Sequence, residues 1–350
     1  MPKIRFGVRI PFSSAAATIS NVVEAAAMAE TEGYHGVVTG DHIDCSLDRH
    51  LYHRMGRGVL GEVGSTEDPN FFESLTTLSF LAGKFPSLEL AVGVMLLPIR
   101  EPLLLAKQIA NLDAFSNGRV SIGIGIGNAT DKKEFDLMHM NHSFSQRWEL
   151  AKEYVEAMKE SWTKPTASYN GRFVKFNGAT IYPKPARKPH PPLWVGGHSE
   201  VALKLGAALC NGWIAGMLTP EEYAAERLKF LGYAKDAGRG SEHFDFGTMT
   251  RVSIDSSKED AIRNLSYVTS GHKATAHLGA ARAQYDDDQT ALQKMNLKAA
   301  VGSPSEVLKR IEDLVQAGVN FFDLYFMYPE LGLMLKQMKL FAREVLPSFN

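Results

Sequence analysis

Two side chains able to move a proton stand together early in the chain: Asp41 and His42, at the end of VVTGDH (37–42). An imidazole changes charge near neutral pH, and a carboxylate beside it can orient the ring, so the pair has the chemistry of a general acid/base. A His next to an Asp in a loop is also an ordinary hydrogen-bonded pair. A second stretch, Gly196-Gly197-His198-Ser199, joins an apolar run to a helical one. Its glycines let backbone N–H groups approach a ligand closely, and the helix N-terminus that follows favours a phosphate. A tight strand-to-helix turn would use the same residues. GIGIG (123–127) is not a nucleotide loop; its alternation suits a strand whose glycines admit something flat, or close packing of small residues. One cluster could suggest a metal: His42, His50 and His53 with Asp44 and Asp48. Its spacing matches no common zinc pattern, so no metal is expected. No G-x-S-x-G nucleophile elbow is present.

The elements that must position these residues alternate. Residues 4–10 read as a strand ended by Pro11, and 21–32 as an amphipathic helix stopped by Gly33. Residues 37–40 form the second strand, 71–82 a helix, 88–97 the third strand, 102–115 a helix opened by proline, and 119–126 the fourth strand. A helix over 144–162 follows, then an alternating stretch, 168–178, with Asn170-Gly171 as a hairpin turn, and a proline-rich run, 182–192. The fifth strand is 193–195, the sixth 213–215, the seventh 246–254 and the eighth 321–326. The helices between them start at 199, at Thr219-Pro220 with Glu222, near 258, and at Ser303-Pro304 with Glu306. Eight strands alternating with helices predict an α/β fold, a (β/α)8 TIM barrel with insertions after strands 2, 4 and 7, as one domain over 1–350. An open doubly wound sheet has the same count, but the first strand-helix turn, PFSSAAAT, lacks the dinucleotide fingerprint. In a barrel the carboxyl ends of the strands carry the chemistry. They would offer Pro11–Phe12, Asp41–His42, Met95–Leu97, Gly127–Asn128, Gly196–Ser199, Gly216–Met217, Arg251 and Tyr325–Tyr328. Residues 43–70 form a long polar loop, the kind that is usually functional. Residues 267–300, with Gly271, Gly279 and three aspartates at 286–288, are expected to be a lid that orders over the site.

Composition narrows the partners. Lys+Arg is 38 and Asp+Glu is 39, which excludes a basic face for nucleic acid or an anionic membrane. No run reaches membrane-spanning length and the N-terminus lacks a signal peptide's apolar core, so a cytoplasmic protein is expected. Two cysteines, Cys45 and Cys210, fit a reducing compartment, with a lone disulfide left open. The expected partners are a small-molecule substrate and, at most, a second copy in a homodimer.

Four blocks together carry a resemblance: VVTGDH (37–42), LELAVGVMLLPIREPLLLAKQIANLDAFSNGRVSIGIGIG (88–127), NGRFVKFNGATIYPKPARKPHPPLWVGG (170–197) and NGWIAG (211–216). With them the chain resembles the bacterial luciferase-like monooxygenase family of flavin- and deazaflavin-dependent oxidoreductases. Residues 43–70 and 267–300 match that family poorly. The resemblance implies a (β/α)8 barrel whose cofactor ring lies across the carboxyl ends of the strands. It implies Asp41 and His42 as catalytic residues near the ring, with His42 the acid/base. Gly93, Val94, Met95 and Asn128 would line the ring pocket, and Gly196, Gly197, His198 and Ser199 would hold the cofactor phosphate. Relatives that use a deazaflavin often carry a bulge with a cis peptide backing the ring, which maps to Gly93–Val94. The resemblance favours coenzyme F420 over FMN, because VGVMLLP and the Asp-His ending look like the deazaflavin subgroup and Asn128 stands where flavin users often have an aromatic. Lys184, Arg187 and Lys188 would form a track for the anionic tail, or a solvated loop. The implied activity is hydride transfer through F420 to or from a small organic substrate. The alternatives are an FMNH2-dependent monooxygenase using O2 and a flavin-binding protein without turnover.

Overall fold

The computed structural model describes residues 3–14, 16–43, 70–128, 131–270, 298–328 and 330–349. Eight parallel strands close on themselves: β1 (Arg5–Arg9), β2 (Gly36–Thr39), β3 (Glu89–Leu96), β4 (Val120–Gly125), β5 (Leu193–Gly196), β6 (Gly212–Gly216), β7 (Asp245–Ile254) and β8 (Phe321–Phe326). Each pairs with its neighbours in sequence order, and β8 returns to β1 with Gly7 opposite Asp323. The predicted (β/α)8 barrel is the fold. Such strands are covered on both faces and so read as near-continuous apolar runs. One face fills the barrel with Val38, Ala91, Trp194, Ile214 and Phe321. The other packs Val8, Leu90, Ile122 and Val195 against helix residues such as Ile109 and Leu205. Burial of each large apolar side chain is worth about 1.5–3 kcal/mol.

Local signals set the helix ends. Thr18 caps the helix Ile19–Thr31, its side chain accepting from the Asn21 N–H. Thr219 and Glu222 form a capping box on Pro220–Asp236, and Glu306 closes the same motif on Ser303 before Pro304–Gln316. Pro102 opens Pro102–Phe115 at its first turn.

The structure differs from the sequence reading where tertiary pairing overrides local pattern. The helix expected from 71 begins at Ser74, because Asn70–Phe71 pairs antiparallel with Ser13–Ser14. The hairpin over 168–178 is present, but Asn170 pairs with Lys175, so the turn is longer than Asn-Gly. Its Arg172, Phe173 and Val174 N–H groups all donate to the Glu153 carboxylate, at 2.8 Å each, which fixes the wider turn. The segment after β4 is only partly an insertion: Gln146–Thr163 packs between its neighbours Pro102–Phe115 and Glu200–Leu209 as the fourth helix of the ring. A further strand, Ala300–Gly302, extends the sheet beside the end of β7. Cys210 is a buried free thiol, pushed up to about 12 by burial; Cys45 lies outside the described residues. So do most of the loop after β2 and most of the expected lid. Among the described residues no helix is long and apolar enough to cross a membrane.

His35, just before β2, accepts a hydrogen bond from the Phe6 N–H through Nδ1 at 3.2 Å. Burial first, then Lys3 and Arg5, lowers it from its ordinary value to about 4. The unfolded chain therefore takes up this proton first as pH falls. Stability is expected to decline as pH drops from about 6.5 toward 4. Denaturant midpoints measured between pH 6.5 and 5 should slope less in His35→Gln than in the parent, since most carboxylates titrate below that window. Equal slopes would remove His35 from the account.

Candidate active site

The residues past the carboxyl ends of the strands form a mouth on one face of the barrel. β2 delivers Gly40, Asp41 and His42. His42 Nδ1 lies 2.9 Å from Glu134 Oε2; the carboxylate is fully buried and the imidazole is 31% exposed. The other Glu134 oxygen accepts the Ile43 N–H, so one carboxylate holds both the ring and the chain that carries it. Phe71 meets the imidazole edge-on at 5.8 Å. A carboxylate against Nδ1 favours the tautomer with the proton on that nitrogen. Sequence reasoning missed Glu134. It sits on the short helix Lys132–Leu137, and its only signal was an acid directly before a large apolar residue, Phe135.

Asp41 points the other way. It is buried, and its oxygens accept from the Ser74 hydroxyl at 2.9 Å, the Leu96 N–H at 2.9 Å and Arg100 Nε at 3.3 Å, with Arg100 Nη2 closing the ion pair. Arg100 also reaches Glu73 at 3.1 Å. Burial would raise the Glu73 carboxyl, but hydrogen bonds from Thr76 and the charge of Arg100 hold it below the usual range. Asp41 thus ties the end of β2 to the end of β3 and to the start of the helix Ser74–Lys84.

β3 contributes the floor. The Gly93–Val94 peptide is cis, as expected, and the register with β4 shifts between Val92 and Met95. Val94 is half-buried and lies against the axis. Side chains added at Gly125 and Gly196 would begin 2.7 and 2.8 Å from its methyls, and one at Gly123 2.8 Å away. The glycines of β4 and β5 therefore make room for Val94, and together they form a flat apolar surface. Met95 is fully buried in the main apolar core. Asn128 is exposed at the end of β4; its N–H donates to Asp131 Oδ2 and its carbonyl accepts from Arg147 Nη1 at 3.1 Å.

The turn after β5 has buried Gly196, then exposed Gly197, His198 and Ser199. Gly197 has φ +86°, which favours glycine, and its carbonyl accepts from Trp213 Nε1. The Ser199 hydroxyl caps the helix Glu200–Leu209 by accepting from the Ala202 N–H at 3.3 Å. The cationic track of the sequence reading is not at the mouth. Arg187 N–H donates to Asp113 at the far end of its helix, and the run leads into the amino end of β5. Lys184 donates to the Ser161 and Lys164 carbonyls and Lys188 to the Pro185 carbonyl. They pin a loop on the opposite face.

A luciferase-like monooxygenase family model matches residues 4–320. An uncharacterized protein of Mycobacterium tuberculosis is 34% identical over 194 residues, 54% of this chain and 65% of that protein, so the match spans just under two thirds of its length. An FMNH2-dependent dimethylsulfone monooxygenase of Pseudomonas putida is 30% identical over 145 residues, 41% of this chain and 39% of that one. An F420-dependent secondary alcohol dehydrogenase, solved with an F420-acetone adduct, superposes over 99% of both chains with a TM-score of 0.79 at 17% identity, a likeness of fold.

Proposed function

We infer that this chain, which belongs to the luciferase-like monooxygenase family, is an oxidoreductase that uses coenzyme F420 to transfer a hydride to or from a small organic substrate. The observation that carries the reading is the His42–Glu134 pair at the mouth. A hydride carrier leaves a proton to be placed on, or taken from, a substrate oxygen, and a polarised imidazole is suited to that task. The flat floor of Val94 and the β4 and β5 glycines supports a ring-shaped cofactor. When bound, the cofactor supplies the two-electron carrier. His42 Nε2 takes or gives the proton at the substrate oxygen. Glu134 holds the ring through Nδ1 and offsets the imidazolium charge. Asp41 acts through its neighbours, as a positioning residue. Gly197, Ser199 and the helix N-terminus behind them are the proposed phosphate cradle.

A second reading, an FMNH2-dependent monooxygenase, has one observation in its favour: Lys184, Arg187 and Lys188 lie on the opposite face, with both lysines bonded to carbonyls there, which leaves a long anionic tail without that track. The test is a parallel titration of the purified protein with FMN and with F420. F420 is expected to bind more tightly. FMN tighter by tenfold or more, about 1.4 kcal/mol, would move the function to the oxygen-dependent reaction, and binding of neither would sink both.

A further inference from the structure

One charged pair in the barrel has no part in the acid/base chemistry. Arg9, at the end of β1, is 5% exposed, and Asp323 in β8 is fully buried. Sequence reading passed over both, although opposite charges in two strands that barrel closure makes neighbours were the available signal. Arg9 Nε donates to Asp323 Oδ1 at 3.2 Å. Nη2 donates to Asp323 Oδ2 and to the Gly93 carbonyl, the latter at 2.6 Å. A guanidinium has five N–H donors. Three are spent in this way, and the two on Nη1 take part in no hydrogen bond among the described residues.

Nη1 lies at the level of the mouth. A side chain at Gly40, the residue before Asp41 and His42, would begin 3.3 Å from it. The rings of Phe12 and Tyr325 each stand 5.9 Å from the guanidinium carbon. The mouth therefore has two unlike halves. Strands β3 to β5 supply Val94 and glycines, which are apolar. Strands β1 and β8 supply a guanidinium with unused donors. These donors open toward the mouth, and a charged donor held in place there makes a strong, charge-assisted hydrogen bond to an acceptor that arrives.

Resting on the reading above that a flavin-type ring lies across the mouth, we propose that Arg9 is a cofactor-binding residue whose Nη1 donates to a carbonyl oxygen of the ring's pyrimidine edge and favours the reduced, anionic ring over the oxidised one. The orientation follows from chemistry. The pyrimidine edge carries the carbonyl acceptors and gains the negative charge on reduction, while the rest of the ring is the better match for the apolar half. Asp323 and the Gly93 carbonyl fix the plane of the guanidinium, so the donors are set before the ring arrives.

The test compares dissociation constants of the oxidised and reduced forms, for FMN and for F420, in the parent, in Arg9→Lys and in Arg9→Gln/Asp323→Asn. Lysine keeps a cation beside Asp323 but puts no donor where Nη1 stands. The double variant removes the charge without leaving a buried carboxylate alone. Each is expected to weaken the reduced form about tenfold more than the oxidised one, equivalent to a midpoint potential about 30 mV more negative for a two-electron couple. If the parent binds a ring cofactor and the ratio is unmoved in a folded double variant, the role of Arg9 falls alone. If the parent binds neither cofactor in either form, the reading it rests on falls and takes this one with it.

Discussion

Replacing His42 with alanine is expected to lower turnover by about a hundredfold or more while cofactor affinity changes by less than about threefold. The two effects separate because His42 touches the mouth with a partly exposed ring. Its Nδ1 contact to Glu134 is lost, but Glu134 keeps the Ile43 N–H, so the buried carboxylate is not left without a donor. A companion variant, Glu134→Gln, keeps the shape and removes the charge that stabilises the imidazolium. It should lower turnover by a smaller factor, because the charge that offsets the imidazolium is lost. The measurement is turnover against pH with a verified substrate, alongside cofactor titration. Near-parental turnover in His42→Ala, or in Glu134→Gln, would take the acid/base role away from this pair.

Period and punctuation made the barrel legible. Residues 321–326 read as an apolar strand behind Gly318, and β8 has those bounds. The capping boxes at Thr219 and Ser303 marked two helices by local chemistry alone. What escaped the sequence depended on partners far away in the chain. Asn70–Phe71 has no strand pattern of its own, and its pairing comes from Ser13–Ser14. His42 was found from its place at a strand end, but its partner is 92 residues on, in a helix of six residues with too little length to show a period. Asp41, adjacent in sequence, was the natural guess for that partner. Successive residues leaving a strand diverge, and the one that turned inward met Arg100. Lys184, Arg187 and Lys188 misled for a related reason: charge is visible in a sequence, but which end of a barrel a loop serves is not.

Replacing Asp41 with alanine is expected to destabilise the fold by about 3–5 kcal/mol, the range for breaking a buried ion pair by removing one partner. Four donors converge on this carboxylate: the Ser74 hydroxyl, the Leu96 N–H and two nitrogens of Arg100. Alanine strands the Leu96 N–H in a buried position and leaves Arg100 with Glu73 alone. Asp41→Asn should cost clearly less, because an amide oxygen still accepts from Leu96 or Ser74 while the charge is lost. Denaturant unfolding measures both. The same two variants decide what Asp41 does for activity. As a positioning residue it sets the path of the chain into His42, so turnover in folded Asp41→Asn should fall by less than about tenfold, far short of His42→Ala. Stability near the parent's in Asp41→Ala would mean the ion pair with Arg100 contributes little. A folded Asp41→Asn as inactive as His42→Ala would mean that Asp41 itself handles the proton, and the division of roles between Asp41 and Glu134 would have to be reversed.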